Sequence, residues 1–128
     1  METGKLYMQY SENGMPEVVF EPVNGTVWLT ANQTAQFLGC FPAKVTCNIK
    51  AIFKSEILGE NDVCSPYRYT VPNAEYPERQ GILYSMDMII ALAYRIKSLN
   101  SEVFRSWLTK RICRQEKQHK LFEDINWN

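Results

Sequence analysis

Lys44, Lys50 and Lys54, with Thr46 among them and Arg68 and Arg79 further along, are the residues whose types and spacing can do chemistry in this chain. That chemistry is the binding of a polyanion. Ammonium and guanidinium groups pair with phosphates and displace the counterions condensed on a nucleic acid, and a threonine can hydrogen-bond a base edge or touch a thymine methyl. Ala43 and Cys47 fall on the same side of a helix as Lys50 and Lys54, with Lys44 and Thr46 at the flanks, and they bring almost no hydrogen-bonding code. The expectation is phosphate-dominated contact with double-stranded DNA and modest sequence discrimination through Ala43, Lys44, Thr46, Cys47, Lys50, Lys54, Arg68 and Arg79.

Catalysis has few candidates. His119 is the only histidine and stands among Lys117, Gln118 and Lys120, the setting of a surface residue rather than a general base. No nucleophile elbow, phosphate-cradling glycine loop or zinc spacing occurs, so the sequence calls for no cofactor and no metal, and no enzyme is expected. Tyr67, Tyr69 and Tyr76 can stack on unpaired bases, but a half-buried strand face accounts for the first two without a ligand.

The elements that must hold the lysines are legible locally. Thr30 followed by Gln33 is a capping box, so a helix starts at Ala31. Gly39 can adopt the left-handed conformation that stops it, and Pro42 suits the first turn of a second helix. Val45, Ile49, Ile52 and Phe53 share one side of that second helix and form its core face. Two helices hinged at a glycine are the layout of a helix-turn-helix DNA reader. The same spacing also describes a structural helical hairpin with solvated lysines.

Around this unit, Leu6 to Tyr10 and Val18 to Phe20 read as a hairpin joined by Ser11-Glu12-Asn13-Gly14, and a turn at Asn24-Gly25 leads to a short strand, Thr26 to Leu29. Gly59 and Asn61-Asp62 mark a loop. Cys64 to Val71 and Gly81 to Tyr84 read as a second hairpin around a polar loop, 72–80, placed where a wing would be, with Arg68 and Arg79 near the backbone of a duplex. Ser85 is a candidate N-cap with Asp87 in the first turn of an apolar helix to Ile96. Ser101 and Glu102 open a last helix with the stripe Phe104, Trp107, Leu108 and Ile112. The expected fold class is α+β: an N-terminal β-hairpin and strand, a winged-helix-like helix-turn-helix, a second β-hairpin and two C-terminal helices. Residues 1–114 are expected to be one domain and 115–128 a helical extension or tail, where Leu121, Phe122, Ile125 and Trp127 can seal the core or meet a protein partner or a second copy.

At 128 residues, 45% apolar and 22% charged, the chain has the composition of an ordinary globular domain. Its formal net charge is zero, so there is no global pull toward nucleic acid or acidic membrane. The distribution is polar, however. Glu2, Glu12, Glu17 and Glu21 crowd the start, and Arg95, Lys97, Arg105, Lys110, Arg111, Arg114, Lys117 and Lys120 crowd the end. Cys40, Cys47, Cys64 and Cys113 form no C-x-x-C pair, and no stretch reads as a leader or a membrane span, so a reduced, cytoplasmic protein without membrane contact is expected.

Taken together, Thr26-Val27-Trp28-Leu29-Thr30, Ala35 to Gly39, Ile49 to Phe53, Tyr84-Ser85-Met86-Asp87, Tyr94-Arg95 and Phe104-Arg105-Ser106-Trp107-Leu108-Thr109-Lys110 resemble the RhuM virulence-protein family of bacteria. The resemblance covers nearly all of the chain after residue 23. More distantly, the closing apolar helix and the Phe-x-x-Trp pattern look like phage antirepressor domains of the Bro-N type. The resemblance implies a DNA-binding, regulatory role of prokaryotic or mobile-element origin, associated with virulence and transcriptional regulation. Family members usually carry Arg, Ser, Thr and His along the second helix, where this chain has Pro42, Ala43, Lys44, Cys47 and Asn48. Many also continue beyond the position of Asn128. The alternative is a protein-interaction or antirepressor-like module on the same scaffold without DNA readout.

Overall fold

Two turns set the chain into its first layer. The 11–15 turn joins β1 (Lys5–Tyr10) to β2 (Pro16–Glu21) as an antiparallel pair with Lys5 opposite Glu21 and Tyr10 opposite Pro16. At Asn24-Gly25 the backbones of Val23 and Thr26 exchange two hydrogen bonds, of 2.9 and 3.2 Å, and deliver the chain to β3 (Trp28–Leu29). The computed structural model describes residues 2–126, with side chains through position 117.

Helix α1 (Ala31–Leu38) begins as the capping box requires: Thr30 Oγ1 accepts from the Gln33 amide at 3.0 Å, and Gln33 Oε1 accepts from the Thr30 amide at 2.9 Å. It ends at Gly39, whose φ of 65° is left-handed and whose missing Cβ would lie 3.1 Å from Asn100 Nδ2. Pro42 then starts α2 (Pro42–Lys54). A single-turn helix, α3 (Glu60–Val63), leads into β4 (Cys64–Thr70), which pairs with β5 (Glu78–Ser85). Strand β5 is central in a three-stranded antiparallel sheet of order β3-β5-β4. Helices α4 (Met86–Arg95) and α5 (Leu99–Asn126) complete an α+β fold of two small antiparallel sheets and five helices.

The core lies where α1, α2, α4 and α5 meet. Leu38, Val45, Ile52, Met88, Ile89, Leu92, Ile96 and Phe104 are fully buried, and the Phe37 and Phe104 rings meet edge to face at 4.9 Å. Burying an aliphatic or aromatic side chain of this size contributes about 1.5–3 kcal/mol. Polar groups from the α4–α5 connection and the first turn of α5 then satisfy the end of α1, whose last carbonyls have no helical partners. Ser98 Oγ donates to the Leu38 carbonyl at 2.6 Å, and Asn100 Nδ2 donates to the Phe37 carbonyl at 3.0 Å.

Several expectations need correction. The last helix starts at Leu99, because Ser98, not Ser101, is its cap: Ser98 Oγ accepts from the Ser101 amide at 3.0 Å, and Ser101 is itself fully buried. Its apolar stripe stops short of Ile112, which is 60% exposed. The expected 59–62 loop contains α3, anchored by buried Val63. The expected 72–80 loop is shorter, since Glu78, Arg79 and Gln80 pair with Thr70, Tyr69 and Arg68. Thr26 and Val27 lie outside β3. Ser85 occupies the N-cap position of α4 without a capping bond; Thr26 Oγ1 accepts from the Met86 amide instead, at 3.3 Å. The side chains of His119, Leu121, Phe122, Ile125 and Trp127 lie outside the described residues.

Candidate nucleic-acid interface

Helix α2 has two unlike sides. Val45, Ile49 and Ile52 are buried against the core, and Phe53 packs partly against it. Ala43, Lys44, Thr46, Cys47, Lys50 and Lys54 are all exposed, so the structure brings these predicted residues together on one outward arc. Between Ala31 and Ser55 the sequence holds three lysines and no carboxylate. Among the described residues, none of the three ammonium groups is engaged in an ion pair.

The polar side chains on α2 are largely committed to their own neighbourhood. Thr46 Oγ1 donates to the Ala43 carbonyl at 3.1 Å, so its one proton is turned back onto the helix. Asn48 Nδ2 donates to the Lys44 carbonyl at 2.8 Å, while Asn48 Oδ1 accepts from Arg95 Nε at 3.1 Å. That second bond brings the guanidinium at the end of α4 alongside the Lys44 flank of α2. In the sequence Arg95 stands in the C-terminal basic run and in the Tyr94-Arg95 pair, and no local signal points from position 95 to position 48.

Other members of the basic run face elsewhere. Arg105 Nη1 donates to the Ala93 carbonyl at 2.7 Å, closing the end of α4, and its guanidinium lies over the Tyr94 ring. Arg111 lies over the rings of Phe20 and Trp107, at 5.4 and 5.2 Å, on the side of the acidic β1–β2 hairpin.

The β4–β5 hairpin does not hold its two arginines as a pair. Directly opposed residues share a face of an antiparallel ribbon, and Arg68 opposes Gln80 whereas Arg79 opposes Tyr69. Arg68 and Arg79 therefore project from opposite faces. On the Arg79 face Tyr67 lies over Gly81, where a Cβ would fall 2.4 Å from the tyrosine ring, and Tyr67 and Tyr69 stack at 5.5 Å between centroids.

Reactive chemistry gathers nowhere comparable. A recess of about 330 Å³ between β1, β3 and α1 is lined by Lys5, Tyr7, Trp28, Gln33, Gln36 and neighbours, with no carboxylate, histidine, serine or cysteine among them. Burial pushes the Cys40 thiol up, with nearby Lys44 opposing it; burial also raises Cys64, helped by Glu60. Both thiols are thus held in the protonated, weakly nucleophilic form. Among the described residues no group of three or more His, Cys, Asp or Glu assembles as a metal site, and no helix is long and apolar enough to cross a membrane.

Comparison of the chain with protein-family models, with curated proteins and with solved structures gives no match.

Proposed function

We propose that the chain is a cytoplasmic DNA-binding regulatory protein of the RhuM type, acting by binding rather than catalysis, with phosphate-dominated contact and modest sequence readout. The observation that carries this reading is the outward arc of α2: Lys44, Lys50 and Lys54 in no ion pair among the described residues, Arg95 tethered alongside, and no acid in the sequence from Ala31 to Ser55. The element order β3, α1, α2, α3, β4, β5, with β3 bonded to β5, supports a winged-helix-like arrangement in which α2 enters the major groove and the β4–β5 hairpin, reached through the single turn of α3, lies near the backbone.

The test is fluorescence anisotropy on a labelled duplex across a salt series. Each phosphate neutralised contributes about −0.9 to the slope of log K against log salt. Replacing Lys44, Lys50 and Lys54 together by alanine is expected to abolish binding at moderate salt and, at low salt, to lower the slope by about 3. Unchanged binding by the triple variant overturns the assignment.

A second reading, the protein-interaction or antirepressor-like module, draws on a different observation. A recess of about 510 Å³ between β2 and α5 is lined by Pro16, Val18, Leu99, Val103 and Trp107, and Leu99 is 56% exposed. Under that reading DNA affinity is absent, and a contact between copies at this recess appears as a concentration-dependent mass in sedimentation that Leu99→Asp removes.

A further inference from the structure

Strand β1 has one occupied edge and one open edge, and its ladder fixes which backbone groups lie on each. The Ser11 amide donates to the Met15 carbonyl at 2.9 Å, and the register runs on from there, from Tyr10 opposite Pro16 to Lys5 opposite Glu21. Antiparallel pairs alternate between hydrogen-bonded and non-bonded. Lys5, Tyr7 and Gln9 therefore point their amides and carbonyls at β2, while Leu6, Met8 and Tyr10 point theirs away from it. Pro16, which has no amide hydrogen, stands opposite Tyr10 as this phase requires. Among the described residues β2 is the only strand paired with β1, and no backbone group elsewhere bonds to Leu6, Met8 or Tyr10.

The opening follows from where β3 stops. The Trp28 amide donates to the Thr3 carbonyl at 2.8 Å, so β3 meets the chain just before β1 begins. Gly4, left-handed at φ 68°, then turns the backbone. Strand β3 ends at Leu29 and Thr30 caps α1, so β1 continues with a helix across from it instead of a strand. Between them lies the recess of about 330 Å³, which Leu6, Met8 and Tyr10 all line, with Gln33 and Gln36 of α1 opposite.

Two observations mark this edge as a place for a ligand. Leu6 is 4% exposed, so its free amide and carbonyl have little access to water and are costly to leave unpaired. The other long hairpin strands are guarded by prolines, Pro16 in β2 and Pro66 in β4, which cannot donate to an added strand, whereas β1 has neither a proline nor a bulge.

We propose that the open edge of β1 binds an extended peptide segment of a partner protein by strand addition, with the peptide lying between β1 and α1. Leu6 to Tyr10 span about 13 Å, which matches about five residues of an added strand. Helix α1 walls the far side, so the occupant is a lone segment and not the hairpin of a second copy. Lys5 is the one charged residue lining the recess, which suits a neutral or acidic peptide. The proposal does not rest on the DNA-binding reading, since none of Lys44, Lys50 and Lys54 lines this recess.

The test is selection of a displayed random-heptapeptide library on the immobilised full chain, with the recovered sequences remade as synthetic peptides. Replacing their amides one at a time by esters is expected to weaken binding about two- to tenfold at every second position only, because alternate residues of an added strand face β1. Met8→Pro removes an edge amide hydrogen without touching the β2 ladder, and Gln36→Trp fills the groove from an exposed position on α1. Both are expected to abolish peptide binding while melting shows a folded chain; Gln36→Trp carries the test if Met8→Pro does not fold. No peptide recovered above an uncoated control, binding that survives Gln36→Trp, or ester losses without a two-residue period overturns strand addition. A concentration-dependent mass in sedimentation that Met8→Pro removes gives the edge to a second copy and overturns the peptide as its occupant. Failure of duplex binding leaves this proposal standing, and failure here leaves the duplex reading standing.

Discussion

The α1–α2 unit and the β4–β5 hairpin are the two parts of the molecule proposed to meet one duplex, and they are held by different physics. In the helical unit one face of α2 is locked into the core by Val45, Ile49 and Ile52, so the opposite face is aimed by packing. In the hairpin, nearly every residue from Arg68 to Gln80 is exposed, and the far end is held by the backbone ladder and by Tyr67 lying over Gly81. Aim costs little in the first case because it comes with burial. The second is built from groups that burial does not fix, so its tip can adapt to a surface more readily than the helices can.

The largest effect that sharpens this contrast is expected in the helical unit. Ile52 is 1% exposed, and Ile52→Ala removes buried methyl and methylene groups and leaves a cavity, at a cost of about 2–5 kcal/mol. Thermal or urea unfolding should show a correspondingly lower midpoint for the whole chain. A loss well below 1 kcal/mol would mean that α2 is not aimed by the core, and the rigid half of the comparison would fail.

Gly81→Ala probes the other half. The new Cβ would fall 2.4 Å from the Tyr67 ring, so the ring must swing away and its stack on Tyr69 is lost. The displaced groups are the far end of a side chain, which keeps the expected cost to about 1–2 kcal/mol, at the low end for overpacking. Hydrogen exchange is the proper measurement, since the damage is local. Amides of β4 and β5 near Gly81 should exchange faster while those of α1 and α2 keep their protection. Equal acceleration in both regions would show that the hairpin and the helices open as one unit.

The same division separates what the sequence showed from what it concealed. Thr30, Gln33, Gly39 and Pro42 act within a few residues of themselves, so the helical unit was readable from spacing alone. Ser101 is where the sequence opens the last helix; the cap falls instead to Ser98, which is also held by its bond to the Leu38 carbonyl, a partner 60 residues away. Glu78, Arg79 and Gln80 carry no strand pattern, and only the ladder opposite Thr70, Tyr69 and Arg68 makes them a strand. Arg95 reaches Asn48 by tertiary folding alone. The lysine arc of the candidate site was visible because helical periodicity places it.

The smallest effect distinguishes the two regions at the duplex itself. Lys44, Lys50 and Lys54 share an arc, so their contributions to salt-dependent binding should accumulate as they are removed. Arg68 and Arg79 lie on opposite faces of the ribbon, and a ribbon laid along a duplex can present only one face to the phosphates. Arg68→Ala and Arg79→Ala are therefore expected to behave unequally: one should lower the slope of log K against log salt by about 0.9 and the other should leave it unchanged. Both arginines are exposed, so neither substitution should move the melting temperature appreciably. Equal reductions would require the tip to enter a groove edge-on with phosphates on both sides, and two null results would remove the hairpin from the interface while leaving α2 in place.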